Sequence, residues 1–66
     1  MVDLSKRQVE VLTLKANGFT AIQVAEMLRI SRKTVEVHLK FARAKLGTRS
    51  TESAIAVATK DGLIKP

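Results

Sequence analysis

Seven basic side chains stand close together in the middle of this sequence, and their charge could hold an anionic partner. They fall between residues 29 and 49, with Glu36 as the one acid among them: Arg29, Arg32, Lys33, Lys40, Arg43, Lys45 and Arg49. Seven positive charges and one negative charge leave +6, the whole net charge of the 66-residue chain, because the basic and acidic residues elsewhere cancel. A basic stripe on an otherwise neutral domain is typical of a surface that binds phosphates. The same stripe could also face an acidic membrane or only water. Its position on the fold therefore decides which of these partners it indicates.

The composition argues against several other kinds of chemistry. The chain has no cysteine, which excludes disulfides and thiolate zinc sites and is compatible with the reducing cytoplasm, where we expect the protein. His38 is the only histidine, and a packed, hydrogen-bonded role is favoured for it over a metal ligand or general base. No apolar run approaches the roughly 20 residues of a membrane span. We therefore expect no catalytic residue, no metal, no cofactor and no membrane partner.

Helix signals without any strand pattern predict an all-α domain that could position this charge. Ser5 and Gln8 have the spacing of a capping box, which predicts the start of a first helix that ends at Asn17-Gly18. Thr20 and Gln23 repeat the capping box and predict a short second helix.

Two further helices are predicted in the second half of the chain. Ser31 is an N-cap candidate for a long helix from about Arg32 to Leu46, and Gly47 supplies its stop. Ser50 or Thr51 can cap the fourth helix. The apolar pair Leu63-Ile64 is then expected to fold back against the domain.

The second and third helices, joined by a tight turn, predict a helix-turn-helix, whose second helix fits the major groove of duplex DNA. At 3.6 residues per turn, the third helix has a core stripe of Val35, Leu39, Ala42 and Leu46. The opposite side carries Lys33, Val37, Lys40 and Ala44, with Glu36 and Phe41 on its flanks. Apolar residues on that outward side indicate a surface that meets a partner.

The fourth helix carries an apolar run from Ala54 to Ala58 that cannot all face one core. Leu63, Ile64 or an upstream domain could cover its second side. The interpretation that we favour is a partner helix related by two-fold symmetry, because small alanines allow two helices to approach closely.

Several of these residues together resemble a known family. The pattern Ile30-Ser31-x-x-Thr34-Val35-x-x-His38 is followed by Lys45-Leu46, and Leu4-Ser5, Glu10-Val11-Leu12 and Gly62-Leu63-Ile64 continue it at the two ends. The chain resembles the LuxR-type helix-turn-helix domain over nearly its whole length. The resemblance implies that residues 1–66 form a four-helix DNA-binding domain at the C-terminal end of a larger bacterial transcription regulator, dimeric on two-fold operators.

The resemblance also implies roles for particular residues. Base edges would be met by Lys33, Glu36, Val37 and Lys40. The phosphate backbone would be met by Thr20, Ser31, Arg32, Thr34, Arg43 and Lys45. The fourth helix would supply the dimer contact through Ile55, Ala56, Val57 and Lys60. The partners expected are therefore double-stranded DNA and a second copy of the chain, with RNA polymerase as a further candidate. Glu36 departs from the family, where many relatives carry a basic or amide side chain, and Phe41 replaces a frequent polar residue.

Several alternatives stay open on the sequence alone. Glu36 could pair with Lys33 or Lys40 at helical spacing rather than read a base. Arg49 could pair with a carboxylate such as Glu10 or Glu52, or touch phosphate. The whole domain could instead be a sigma-factor-like reader of promoter elements, or a basic module that binds proteins or acidic membranes.

Overall fold

In the computed structural model, which describes residues 2–66, the chain forms four helices in the predicted order. The helices are α1 (Lys6–Ala16), α2 (Ala21–Leu28), α3 (Arg32–Leu46) and α4 (Thr51–Lys60). No strand occurs in this part of the chain. The predicted all-α fold is therefore confirmed, and α3 begins and ends at the residues that the sequence indicated.

Each helix begins at a side-chain cap. In the capping box of α1, the Ser5 hydroxyl accepts from the Gln8 amide at 3.1 Å, and Gln8 Oε1 accepts from the Ser5 amide at 2.9 Å. Thr20 and Gln23 form the same box at α2. Ser31 caps α3, and Ser50 rather than Thr51 caps α4. These contacts satisfy amides that a helix start otherwise leaves without partners.

The tight turn between α2 and α3 requires a left-handed residue. Arg29 occupies that position with φ 56° and ψ 45°, and it is the only non-glycine residue with positive φ among residues 2–66. The Ile30 amide then donates to the Ala25 carbonyl at 3.0 Å, which closes the end of α2. For an L-residue other than glycine this conformation costs about 1–2 kcal/mol, so the turn holds Arg29 under backbone strain.

One core joins the four helices, and α3 contacts all three others. Val11, Leu12, Val24 and Val35 are fully buried within it. After α4 the chain folds back, because the Leu63 amide donates to the Ala58 carbonyl at 2.8 Å and places Ile64 in the core. This return of the tail, residues 61–66, confirms the expectation for Leu63 and Ile64. With Val35, Leu39 and Ala42 buried, the opposite side of α3 is left facing outward.

Candidate nucleic-acid interface

The four residues predicted to meet base edges lie together on the exposed side of α3. We call Lys33, Glu36, Val37 and Lys40 the groove face. All four are exposed, whereas Val35, Leu39 and Ala42 on the other side of the same helix are buried in the core. The helical period therefore separates the two sides of α3 as expected. That these side chains touch bases stays a prediction.

The groove face borders an open depression of about 600 Å³. α1 contributes Lys15 to its wall, α2 contributes Ala21, and α4 contributes Thr51 and Glu52. The whole lining contains four cationic and two acidic side chains: Lys15, Lys33, Lys40 and Arg43 against Glu36 and Glu52. A concave surface with an excess of positive charge concentrates anions near it.

Lys15, Thr51 and Glu52 were not among the predicted site residues. In the sequence, Lys15 is an ordinary basic residue in the last turn of α1, and Thr51 and Glu52 begin α4. They reach the depression because α1 and α4 both pack against α3. No local spacing predicts that meeting of three helix ends.

Glu36 has a partner other than the two that the sequence suggested. Its carboxylate lies 3.8 Å from Nε of Arg32, one turn earlier on α3. The suggested pairing with Lys33 or Lys40 is therefore wrong, and helical spacing alone does not explain the choice, because Arg32 and Lys40 both lie four residues from Glu36. Both side chains of the Arg32–Glu36 pair are more than half exposed, and such pairs contribute at most a few tenths of a kcal/mol. Glu36 is thus held only weakly.

Hydroxyl groups surround the start of α3. The Ser31 and Thr34 hydroxyl oxygens are 2.8 Å apart, and Ser31 Oγ also accepts from the Thr34 amide at 3.0 Å. Thr20 stands exposed at the start of α2, where its hydroxyl accepts from the Gln23 amide. Hydroxyls and free amides at a helix N-terminus form a favourable environment for phosphate. Phosphate contacts by Thr20, Ser31, Arg32 and Thr34 stay predictions.

Arg43 connects α3 to the start of α4. Its Nη1 donates to Thr51 Oγ1 at 3.3 Å, and its carbonyl accepts from the Thr48 amide at 2.9 Å. The side chain is half-buried, so its guanidinium helps to build the wall of the depression. The contact of Arg43 with phosphate stays a prediction, in which the guanidinium would bind phosphate while it also donates to Thr51.

Lys45 faces α1 rather than the depression. Its Nζ donates to Gln8 Oε1 at 3.0 Å and to the Asp3 carbonyl at 3.2 Å. Gln8 is itself buried and belongs to the capping box of α1. The ammonium group of Lys45 therefore joins the end of α3 to the start of α1. A contact of Lys45 with phosphate stays a prediction, and it would compete with these two hydrogen bonds.

Replacing Lys45 by Met should lower the melting temperature by about 4–8 °C, because one charge-assisted hydrogen-bond site at a helix start contributes about 1 kcal/mol. Thermal unfolding followed by circular dichroism measures the change. Lys65→Met, at an exposed lysine of the tail, is the control. If the melting temperature stays unchanged while the salt dependence of DNA binding weakens by one phosphate, Lys45 is a backbone contact instead.

Arg49 is exposed near the end of the basic segment. Within residues 2–66 the ion pairs are Arg7–Glu10 at 3.5 Å and Arg32–Glu36 at 3.8 Å. Neither Glu10 nor Glu52 pairs with Arg49 in this part of the chain, so the suggested carboxylate partners are wrong. A phosphate contact by Arg49 stays an untested alternative.

The four residues predicted at a dimer contact occupy different sides of α4. Ala56 and Lys60 are exposed and follow each other one turn apart, while Ile55 and Val57 are half-buried at the two edges of that strip. Ala54 and Ala58 face the core, and the returning tail supplies part of the cover that the apolar run needs. An outward strip of Ala56 and Lys60 remains.

Two features of the described residues bear on other functions. In residues 2–66, no three histidine, cysteine or acidic side chains come together in a group that could hold a metal ion. None of the helices in that range has the length and apolar character needed to cross a membrane.

Comparisons with known proteins agree with this geometry. Residues 2–58 match the GerE family model, described as bacterial regulatory proteins of the luxR family. The chain is 40% identical over 62 residues to the oxygen regulatory protein NreC of Staphylococcus aureus (strain JH9), covering 94% of this chain and 29% of NreC. The chain thus spans less than a third of the curated relatives that it matches.

Two solved structures have the same fold. The transcription factor GerE superposes with a TM-score of 0.90 at 27% identity, covering 94% of this chain and 92% of GerE. The VqmA dimer of Vibrio cholerae, described in connection with DNA binding by LuxR-type receptors, gives a TM-score of 0.90 at 32% identity and covers 100% of this chain and 31% of VqmA. The family is one of DNA-binding transcription factors and not a class of enzyme. The chain belongs to the luxR family of bacterial regulatory proteins and is a LuxR-type helix-turn-helix domain, the DNA-binding type of domain found in these regulators.

Proposed function

We propose that this domain binds a specific operator in the major groove of duplex DNA, as a dimer on two half-sites. The observation that carries the proposal is the groove face, whose four exposed residues share one basic depression on the outward side of α3. A helix about 22 Å long fits the major groove, and its N-terminal half meets base edges in helix-turn-helix proteins. The groove face lies in the first two-thirds of α3.

Three of the four residues of the groove face have a base feature that their chemistry fits. Lys40 can donate to O6 and N7 of guanine, and Val37 can contact the methyl group of thymine. Glu36 can accept from N4 of cytosine once it leaves Arg32, which costs little because that pair is exposed. Its negative charge opposes the phosphates, so Glu36 lowers non-specific affinity and adds selectivity. Lys33 stands beside these three at the start of the helix.

Phosphate contacts would hold α3 in register on the duplex. One region suited to phosphate contacts is formed by the hydroxyls and amides at the starts of α2 and α3. A second is formed by the basic wall of the depression. The residues proposed for these contacts are Thr20, Ser31, Arg32, Thr34, Arg43 and Lys45. Lys45 is the weakest of the six, because its ammonium is already bound to α1.

Two features support dimerisation and a larger regulator. The outward strip of Ala56 and Lys60, with Ile55 and Val57 at its edges, leaves room for the close approach of a second α4. VqmA is described as a dimer, and NreC is a regulatory protein more than three times as long as this chain. We include in the proposal that residues 1–66 serve as the C-terminal, DNA-binding domain of such a regulator in the bacterial cytoplasm.

Selection of bound sequences from a random duplex pool tests the proposed function. We expect enrichment of two inverted half-sites at a constant spacing, since operator symmetry mirrors a two-fold dimer. A pool without enrichment would contradict sequence-specific binding. Equal binding to anionic vesicles would favour the basic interaction module, and binding to promoters only in the presence of the polymerase core would favour a sigma-like reader.

Ala56→Glu tests the dimer contact. A carboxylate on each copy would place like charges at the point of closest approach, so we expect binding to a two-half-site operator to lose cooperativity while binding to one half-site is unchanged. Fluorescence anisotropy with both duplexes measures this. Met27→Glu, an equal change of charge at an exposed residue of α2, is the control. Retained cooperativity in the Ala56 variant would remove α4 from the dimer proposal.

A further inference from the structure

Among residues 2–66, four large apolar side chains are strongly exposed. They are Ile22 at 54%, Met27 at 51%, Val37 at 39% and Phe41 at 52% of their surface. Two of them, Val37 and Phe41, lie on α3 one turn apart, about 40° round the helix and 6 Å along it. They are therefore neighbours on the exposed side of the basic helix.

The core does not account for Phe41. Its stripe on α3 is filled by Val35, Leu39 and Ala42. Phe41 lies outside the buried cluster and also outside the half-buried apolar residues that pack around that cluster. The half-exposed aromatic ring of Phe41 therefore offers apolar surface that a partner can cover.

The direction of Phe41 places it with the groove face. From the point opposite the core stripe, Phe41 lies about 50° round the helix, compared with about 90° for Glu36. It follows directly after Lys40 in the chain and continues the exposed surface of Val37 by one turn. A duplex that meets Lys40 and Val37 therefore also comes within reach of Phe41.

The major groove offers one apolar group, the C5-methyl of thymine, and phenylalanine is among the side chains that contact it. We propose that Phe41 is a specificity-determining residue, which packs on a thymine methyl one or two base pairs from the position that Val37 reads. The 6 Å between the two side chains along α3 corresponds to about two base steps of 3.4 Å. This inference rests on the proposed function, because it needs α3 to lie in the groove.

Replacing single thymines of the selected operator by deoxyuridine removes only the methyl group and tests the proposal. At one thymine, the wild-type domain should bind the deoxyuridine duplex about fourfold more weakly, which corresponds to one buried methyl group. Phe41→Ala should bind the thymine duplex at least fourfold more weakly than the wild type does. Replacing that thymine by deoxyuridine should then cause the variant no further loss of affinity. Anisotropy titrations of both proteins on both duplexes give the complete cycle.

Met27→Ala is the matched control, because Met27 is as exposed as Phe41 but lies on α2. It should bind all duplexes like the wild type. Phe41→Leu keeps an apolar side chain and should retain most of the thymine preference, which also covers the case in which the alanine variant does not fold.

Three results would overturn the inference. An equal loss for Phe41→Ala on every thymine and deoxyuridine duplex would place Phe41 on the sugar–phosphate backbone. No loss on any duplex would show that its partner is not DNA. If the losses of affinity caused by Phe41→Ala and by the deoxyuridine replacement add up, another residue contacts the methyl group. Failure of the proposed function is distinguishable, since the wild type would then show no sequence preference at all.

Discussion

Raising the monovalent salt concentration from 50 to 200 mM is expected to weaken binding of one protomer to a half-site duplex by about 10³- to 10⁴-fold. The net charge of +6 comes from the segment that contains α3, and the depression beside this helix has more cations than acids. If about six to eight phosphates are neutralised, counterion release gives a slope of log affinity against log salt near −5 to −7.

Anisotropy titrations at five or more salt concentrations measure the slope. A duplex of unrelated sequence should give a similar slope, because this part of the affinity does not depend on sequence. Lys65→Met should leave the slope unchanged and serves as the control for charge removal away from the interface. A slope close to zero would contradict the assignment of the basic segment to phosphate contacts.

Replacing Lys40 by Ala is expected to weaken binding to the selected operator by about 5- to 150-fold, which corresponds to about 1–3 kcal/mol. Lys40 is exposed on the groove face, where its ammonium can donate to the two acceptors of a guanine. The variant should also accept other base pairs at that one position. Titrations against the operator and its three substitutions at each position measure both effects.

Lys15→Ala is a matched control for Lys40, because Lys15 lines the same depression but comes from the end of α1. A lysine that meets only phosphate should lower affinity by the same factor for every sequence. If Lys40→Ala behaves in that way too, Lys40 is a backbone contact and the reading of the base pair must come from elsewhere on the groove face.

Much of the fold could be predicted because its signals are local. Each helix start depends on a hydroxyl and an amide three residues apart, as in Ser5 with Gln8 and Ser31 with Thr34. The division of α3 into a buried and an exposed side follows from the helical period alone. These are interactions within one or two turns, so the order of residues specifies them without knowledge of the rest of the molecule.

The partners of charged side chains could be predicted less well. Glu36 has several cations within one helical turn, and spacing alone did not identify Arg32 as its partner. Among residues 2–66, Arg49 forms an ion pair with neither Glu10 nor Glu52, the carboxylates that the sequence suggested. Long, exposed side chains reach several partners at similar free energy, so the pairing depends on small differences in the surrounding structure.

By itself, the sequence determined the four helices, their caps and the outward position of Lys33, Glu36, Val37 and Lys40, because caps and helical faces arise from residues close together in the chain. The tertiary structure decided what surrounds that face. It brought Lys15 and the start of α4 to the depression, and it joined Lys45 to Gln8 across 37 positions of the sequence. Contacts between helices depend on how the helices pack around the shared core, which local spacing does not specify.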